Sequence, residues 1–147
     1  MSKVTVSGFK ELEAALAELP KATGKSVLRR VGKKRLEPMR ATAQRLAPSD
    51  EGKLKISVAI SDKRTRRVKR ERGPIAGVEM AMGPAAGDGV LNYATHVEFG
   101  TVDTAPQPYM RPAFEAHIDS VLDGIGDDLG AEITKTAERR ARRRAKG

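Results

Sequence analysis

The sequence has no cysteine and no tryptophan, and aromatic residues make up only 3% of its 147 residues. Without cysteine there can be no disulfide and no thiolate metal site, which fits a reducing compartment. With so few aromatics the core must be aliphatic and modest, which favours a chain that gains stability by assembling with neighbours. No apolar run of signal-peptide length follows Met1, and none approaches the length of a transmembrane helix, so no membrane partner is expected. Neither a P-loop nor a G-x-S-x-G or HExxH pattern occurs, and there is no internal repeat. The length suits one domain with a real core.

What is abundant is charge, at 32% of residues, with Lys+Arg 28 against Asp+Glu 19 and a net charge of +9. Such an excess implies a polyanionic partner or an acidic protein surface. Much of it is concentrated in two runs. Lys63, Arg64, Arg66, Arg67, Lys69, Arg70 and Arg72 form the first; Arg139, Arg140, Arg142, Arg143, Arg144 and Lys146 form the second. Aromatics are not interleaved with either run, which argues against base stacking and leaves phosphate contact, or contact with acidic protein faces, as its use. Scattered charge of this kind usually only solubilises a surface, but these runs are dense and one-sided.

Residue spacing sets the expected elements. Residues 3–7 alternate as a short edge strand. Phe9, Leu12, Leu16 and Leu19 recur at helical spacing up to Pro20. A second helix is expected from about Thr23 to Leu46, with Leu28, Val31, Met39, Ala43 and Leu46 inward and a kink or break at Pro38. From Leu54 the period becomes two: Leu54, Ile56, Val58 and Ile60 share one face. Val78, Met80 and Met82 alternate in a second strand ending at Gly83-Pro84. Residues 63–73 between the strands read as a mobile basic hairpin arm.

Tyr93 to Phe99 is read as a further strand, stopped by Gly100 and followed by a loop holding Pro106 and Pro108. Arg111-Pro112 then opens a long helix with Phe114, Ile118, Val121, Leu122, Ile125, Leu129 and Ile133 on its inner stripe. Gly124, Gly126 and Gly130 weaken that helix by roughly 1 kcal/mol each relative to Ala unless a neighbour holds it. The expected fold is α+β: a small antiparallel sheet with helices on one face, in a single domain over residues 1–133. A basic tail, 134–147, is expected to be ordered only on a partner.

Two patches of the chain have a recognisable wording. "YATHVEFGT" followed by "PQPYMRPAFE", residues 93–101 and 106–115, resembles the signature of a tail-component family of long-tailed phages, the "gene product ten-like" proteins. Upstream, Ala47-Pro48-Ser49-Asp50-Glu51-Gly52-Lys53-Leu54 is similar to that family's entry into its first long strand. The resemblance spans roughly residues 4–122 in the family's order. On the matching positions it singles out Pro48, Gly52, Leu54, Tyr93, Glu98, Phe99, Gly100, Thr101, Pro108, Arg111 and Pro112. It implies a virion structural protein that forms a ring, commonly six-fold, in the neck or at the top of the tail tube. Neighbouring neck and tail-tube proteins would be its partners, DNA would pass close by, and assembly would take place in the host cytoplasm.

Catalysis and cofactors are not expected. His96 and His117 lie twenty-one positions apart, and a metal site built from His96, Glu98, His117 and Asp119 is less economical than a strand edge and a helix surface facing solvent. Glu98 and Arg111 flank the proline loop and read equally well as an ion pair closing it or as solvated charges. Tyr109 and Met110 read as core, as is usual for such residues, or as interface contacts. A free, non-sequence-specific nucleic-acid-binding protein is the alternative to the phage reading; it would rest on the basic runs, without any recognised reading motif.

Overall fold

The computed structural model describes residues 9–48, 57–63, 70–71, 77–85 and 89–146. The expected edge strand over 3–7, the family-pattern residues Gly52 and Leu54, and most of the basic arm lie outside the described residues. The fold is mostly helical, with one small antiparallel sheet. Helix α1 covers Phe9–Ala17, α2 Lys21–Leu46, α3 Val90–Phe99 and α4 Met110–Ala145; strands β1, Val58–Ser61, and β2, Ala81–Pro84, make the sheet.

The two long helices are the frame. They run antiparallel, because rising numbers on α2 meet falling numbers on α4. Thr42 meets His117, Arg35 meets Asp128, and Arg30 meets Glu132. Their shared seam is apolar. Toward the start of α2, Val27 and Val31 pack with Leu129 and Ile133, and Leu12 and Leu16 of α1 close over them. Toward its end, Met39, Ala43 and Ala47 pack with Val121, Ala113 and Tyr109, joined by Val58 of β1 and Ala94 of α3. Each fully buried Val, Leu, Ile or Met side chain here contributes roughly 1.5–3 kcal/mol, and each alanine less. As expected from the composition, the core is largely aliphatic, and Tyr109 is its one deeply buried aromatic among the described residues.

Pro38 does not split α2, which runs unbroken for 26 residues. Its ring is exposed, while Leu36 and Met39 beside it pack into the core, so apolar burial on either side carries the helix past the missing hydrogen bond. Leu46, expected inward, is 43% exposed, and Phe114 is 51% exposed. Val27, absent from the expected inner face, is fully buried.

In the sheet Val58 pairs with Pro84, Ala59 with Gly83, Ile60 with Met82 and Ser61 with Ala81. Val58 points into the core and Ala59 and Ser61 point out, the period of two that the sequence carries. The second strand is displaced from the expected one: Val78 and Met80 precede it, and Pro84 closes it, at an edge where its missing donor is tolerated.

The largest departure is at residues 93–99, which are helix, not strand. Val90, Tyr93, Ala94 and Val97 fall on one helical face and pack into the core. At the C-terminus helix α4 continues through Ala145, and Thr136 is still buried. Ala and Arg are strong helix formers, extension of an existing helix is cheap, and cations suit its last turn.

Candidate functional site: a carboxylate-clamped loop and a basic cleft

Helix α3 ends at Gly100, and α4 starts at Met110 only after an exposed proline loop. What binds the two helices is the Glu98 carboxylate. Its Oε2 accepts the backbone N–H of Tyr109 at 2.8 Å and of Met110 at 2.9 Å, and its Oε1 accepts that of Arg111 at 3.0 Å. A helix begins with four N–H groups that have no partner inside it. Here Glu98 takes three, and the fourth position is Pro112, which has no N–H. The start of a 36-residue helix is thereby fully satisfied by one side chain from another helix. The negative charge also sits at the positive end of the α4 dipole.

Glu98 is 9% exposed. Burial by itself raises its pKa, but the three backbone hydrogen bonds, helped by the nearby charge of Arg111, outweigh it and hold the carboxyl below its ordinary range. Arg111 therefore acts through its N–H and its charge, and forms no direct ion pair with Glu98; its side chain is exposed. The solvent-facing strand edge expected for Glu98 is replaced by a buried cap. Tyr109, 1% exposed, has its phenol pushed up to about 12 by burial and then by the Glu98 charge.

The loop is fixed from within. Gly100 N–H donates to His96 O at 2.7 Å, Thr101 N–H to Thr104 O at 2.9 Å, and Gln107 N–H to Val97 O at 2.7 Å. Gly100 sits at φ 76 and ψ −179, a conformation open essentially to glycine alone. A Cβ there would lie 2.8 Å from Thr104 O and 2.9 Å from the Pro106 nitrogen. This rigid bracket still presents apolar groups to solvent: Phe99 is 66% exposed and Val102 103% exposed. Pro48 from the end of α2 borders the same loop, lining a cavity of about 270 Å³ with Tyr93, Thr101 and Thr104. Thus Pro48, Tyr93, Glu98, Phe99, Gly100, Thr101, Pro108, Arg111 and Pro112 fall in or beside one structural unit, the α3–loop–α4 bracket.

The histidines and carboxylates considered for a metal do not come together. His96 is exposed, Glu98 is committed to its cap, and His117 Nε2 is 2.7 Å from Thr42 Oγ1. No group of three metal-ligating side chains forms among the described residues. No helix among them is long and apolar enough to cross a membrane.

Of the first basic run, Lys63 and Arg70 are exposed, and Arg64, Arg66, Arg67, Lys69 and Arg72 lie outside the described residues. The second run is divided by the helix. Arg139, Arg140 and Arg143 line a cavity of about 350 Å³ against the start of α2, where Thr23, Ser26, Val27 and Arg30 form the other wall and Thr136 also lines it. Arg142, Arg144 and Lys146 are exposed and are not part of that lining. The charge run is visible in the sequence; the α2 residues beside it are not, since only the α2–α4 register brings residues 23–30 beside 136–143.

The described residues form a long-helix frame, a small sheet and a clamped loop. The family model described as "Bacteriophage HK97-gp10, putative tail-component" matches residues 10–100, more than half of the chain, and the chain belongs to that family. No curated protein and no solved structure matches the chain significantly.

Proposed function

We propose that this tail-component chain is a structural neck or tail-completion protein that forms a ring, six-fold in the simplest case, and joins the tail tube to the head connector of a phage or phage-like particle. The observation that carries the reading is the family match over residues 10–100, which contains both Glu98 and Gly100. Its work is assembly, without turnover and without a cofactor. The α2–α4 frame supplies a stiff body, and the clamped loop holds Phe99 and Val102 out at a fixed angle for a neighbouring copy. The protein then resides in the virion after assembly in the host cytoplasm, in contact with the adjacent neck and tail-tube proteins. Removing the gene tests this: heads and tails should accumulate unjoined, and the purified protein supplied back should restore joining. Particles that assemble and infect normally without it overturn the reading.

A further inference from the structure

The cleft between the start of α2 and the end of α4 combines features that a merely solubilising surface does not need. Thr136 lines it, is 9% exposed, and has its Oγ1 buried without a hydrogen-bond partner among the described residues. A buried hydroxyl left unpaired costs free energy, and such groups are rare in folded proteins. Arg139, Arg140 and Arg143 line the cleft with it, and Thr23, Ser26 and Arg30 line it from α2. No carboxylate is among the residues that line the cleft, and Glu132, one turn before Thr136 on α4, is already paired with Arg30. The first turn of α2 adds its share of positive dipole, and Pro20 before it makes no side-chain cap.

We propose that this cleft is a phosphate-binding site. Several arginines and hydroxyl-bearing residues lining one hollow suit a tetrahedral oxyanion with many acceptor positions better than a single carboxylate. The ligand is either a phosphate of a nucleic-acid backbone or free inorganic phosphate. The site is non-specific toward bases, since no aromatic lines it. The proposal does not rest on the neck-ring reading and stands or falls separately from it.

The test uses the full chain at constant ionic strength. Binding to end-labelled double-stranded DNA is read by fluorescence anisotropy, and binding of inorganic phosphate by thermal shift against chloride. Thr136→Val keeps the side-chain shape and removes the orphan hydroxyl, so it should raise Tm slightly while weakening phosphate binding about tenfold. The pair Arg139→Gln with Arg143→Gln should weaken it at least as much. Arg142→Gln with Arg144→Gln removes the same charge outside the lining and should have a far smaller effect. DNA binding that inorganic phosphate competes away identifies the backbone as the source. A phosphate-dependent rise in Tm without DNA binding identifies free phosphate. The site is overturned if the two arginine pairs are equivalent and Thr136→Val is silent, or if an acidic peptide raises Tm where phosphate does not.

Discussion

Replacing Glu98 should be felt beyond its own helix, because its carboxylate holds the first N–H groups of α4. Glu98→Ala leaves three buried or half-buried donors without an acceptor and should cost about 3 kcal/mol; Glu98→Gln keeps one acceptor oxygen and should cost about 2 kcal/mol. Chemical denaturation measures both. The pH dependence has a definite sign. The folded carboxyl titrates below its ordinary 4.5, so the unfolded chain takes up its proton first as pH falls. Its contribution is complete above the ordinary carboxylate range and is lost as pH drops through the lowered folded value. Glu98→Gln should therefore narrow its deficit against the parent in acid. A deficit that stays constant from neutral pH into acid would show that the charge is irrelevant. A second residue-scale prediction separates two glycines. Gly89 and Gly100 both have positive φ, yet a Cβ at Gly89 meets nothing within 4 Å, whereas at Gly100 it meets the Thr104 carbonyl and Pro106. Gly89→Ala should cost about 1 kcal/mol and Gly100→Ala about 3 kcal/mol. Thr104→Ala should be mild, since the loop uses that residue's backbone oxygen. Equal melting temperatures for the two glycine variants would remove the special role of Gly100.

At the scale of elements, the long helices were legible because their apolar residues recur over several turns, and β1 because its alternation is clean. Residues 93–99 were not. Tyr, Thr, Val and Phe favour strands locally, and a window starting at Tyr93 alternates. The helical face appears only when Val90 is included, giving Val90, Tyr93, Ala94 and Val97. The Glu98 cap had no sequence signal either: its acceptors' partners lie 11 to 13 residues onward, far outside the three-residue spacing of a capping box. Gly124 shows the same limit. In sequence it weakens α4; in the structure it is buried, and the Arg35 guanidinium crosses over it to reach Asp128, with Nε 2.6 Å from Oδ2. That pairing lowers the Asp128 pKa, chiefly through the hydrogen bond from Arg35. A double-mutant cycle tests the coupling. Gly124→Ala gains helix propensity but displaces Arg35, so its net effect should be near zero or destabilising. With Arg35→Ala in place, the same change should stabilise by about 1 kcal/mol. Additive effects would mean that the glycine does not serve the arginine.

At the scale of the molecule, the question is where a neighbouring copy would seat. Single exposed apolar residues are ordinary on protein surfaces. Phe99 and Val102 differ in their setting: they are 66% and 103% exposed on a loop that Glu98, Gly100 and three backbone hydrogen bonds hold still. A pre-ordered loop loses little entropy on binding, so apolar contacts there convert efficiently into affinity. The informative variant is Phe99→Lys with Val102→Asp. Its two new charges cancel, so the net charge of +9 and any long-range attraction to polyanions are unchanged. Lys at the end of α3 suits the helix dipole, and neither residue belongs to the core, so folding stability should stay within about 0.5 kcal/mol of the parent. If Phe99 and Val102 seat the next copy of a ring, the variant should keep its circular dichroism and melting temperature, yet remain a monomer by light scattering and fail to restore joining in particles lacking the gene. A variant that melts early reports a structural role for the loop instead. One that joins heads to tails like the parent places the ring contact on another face, and the exposed loop then serves a partner other than its own kind.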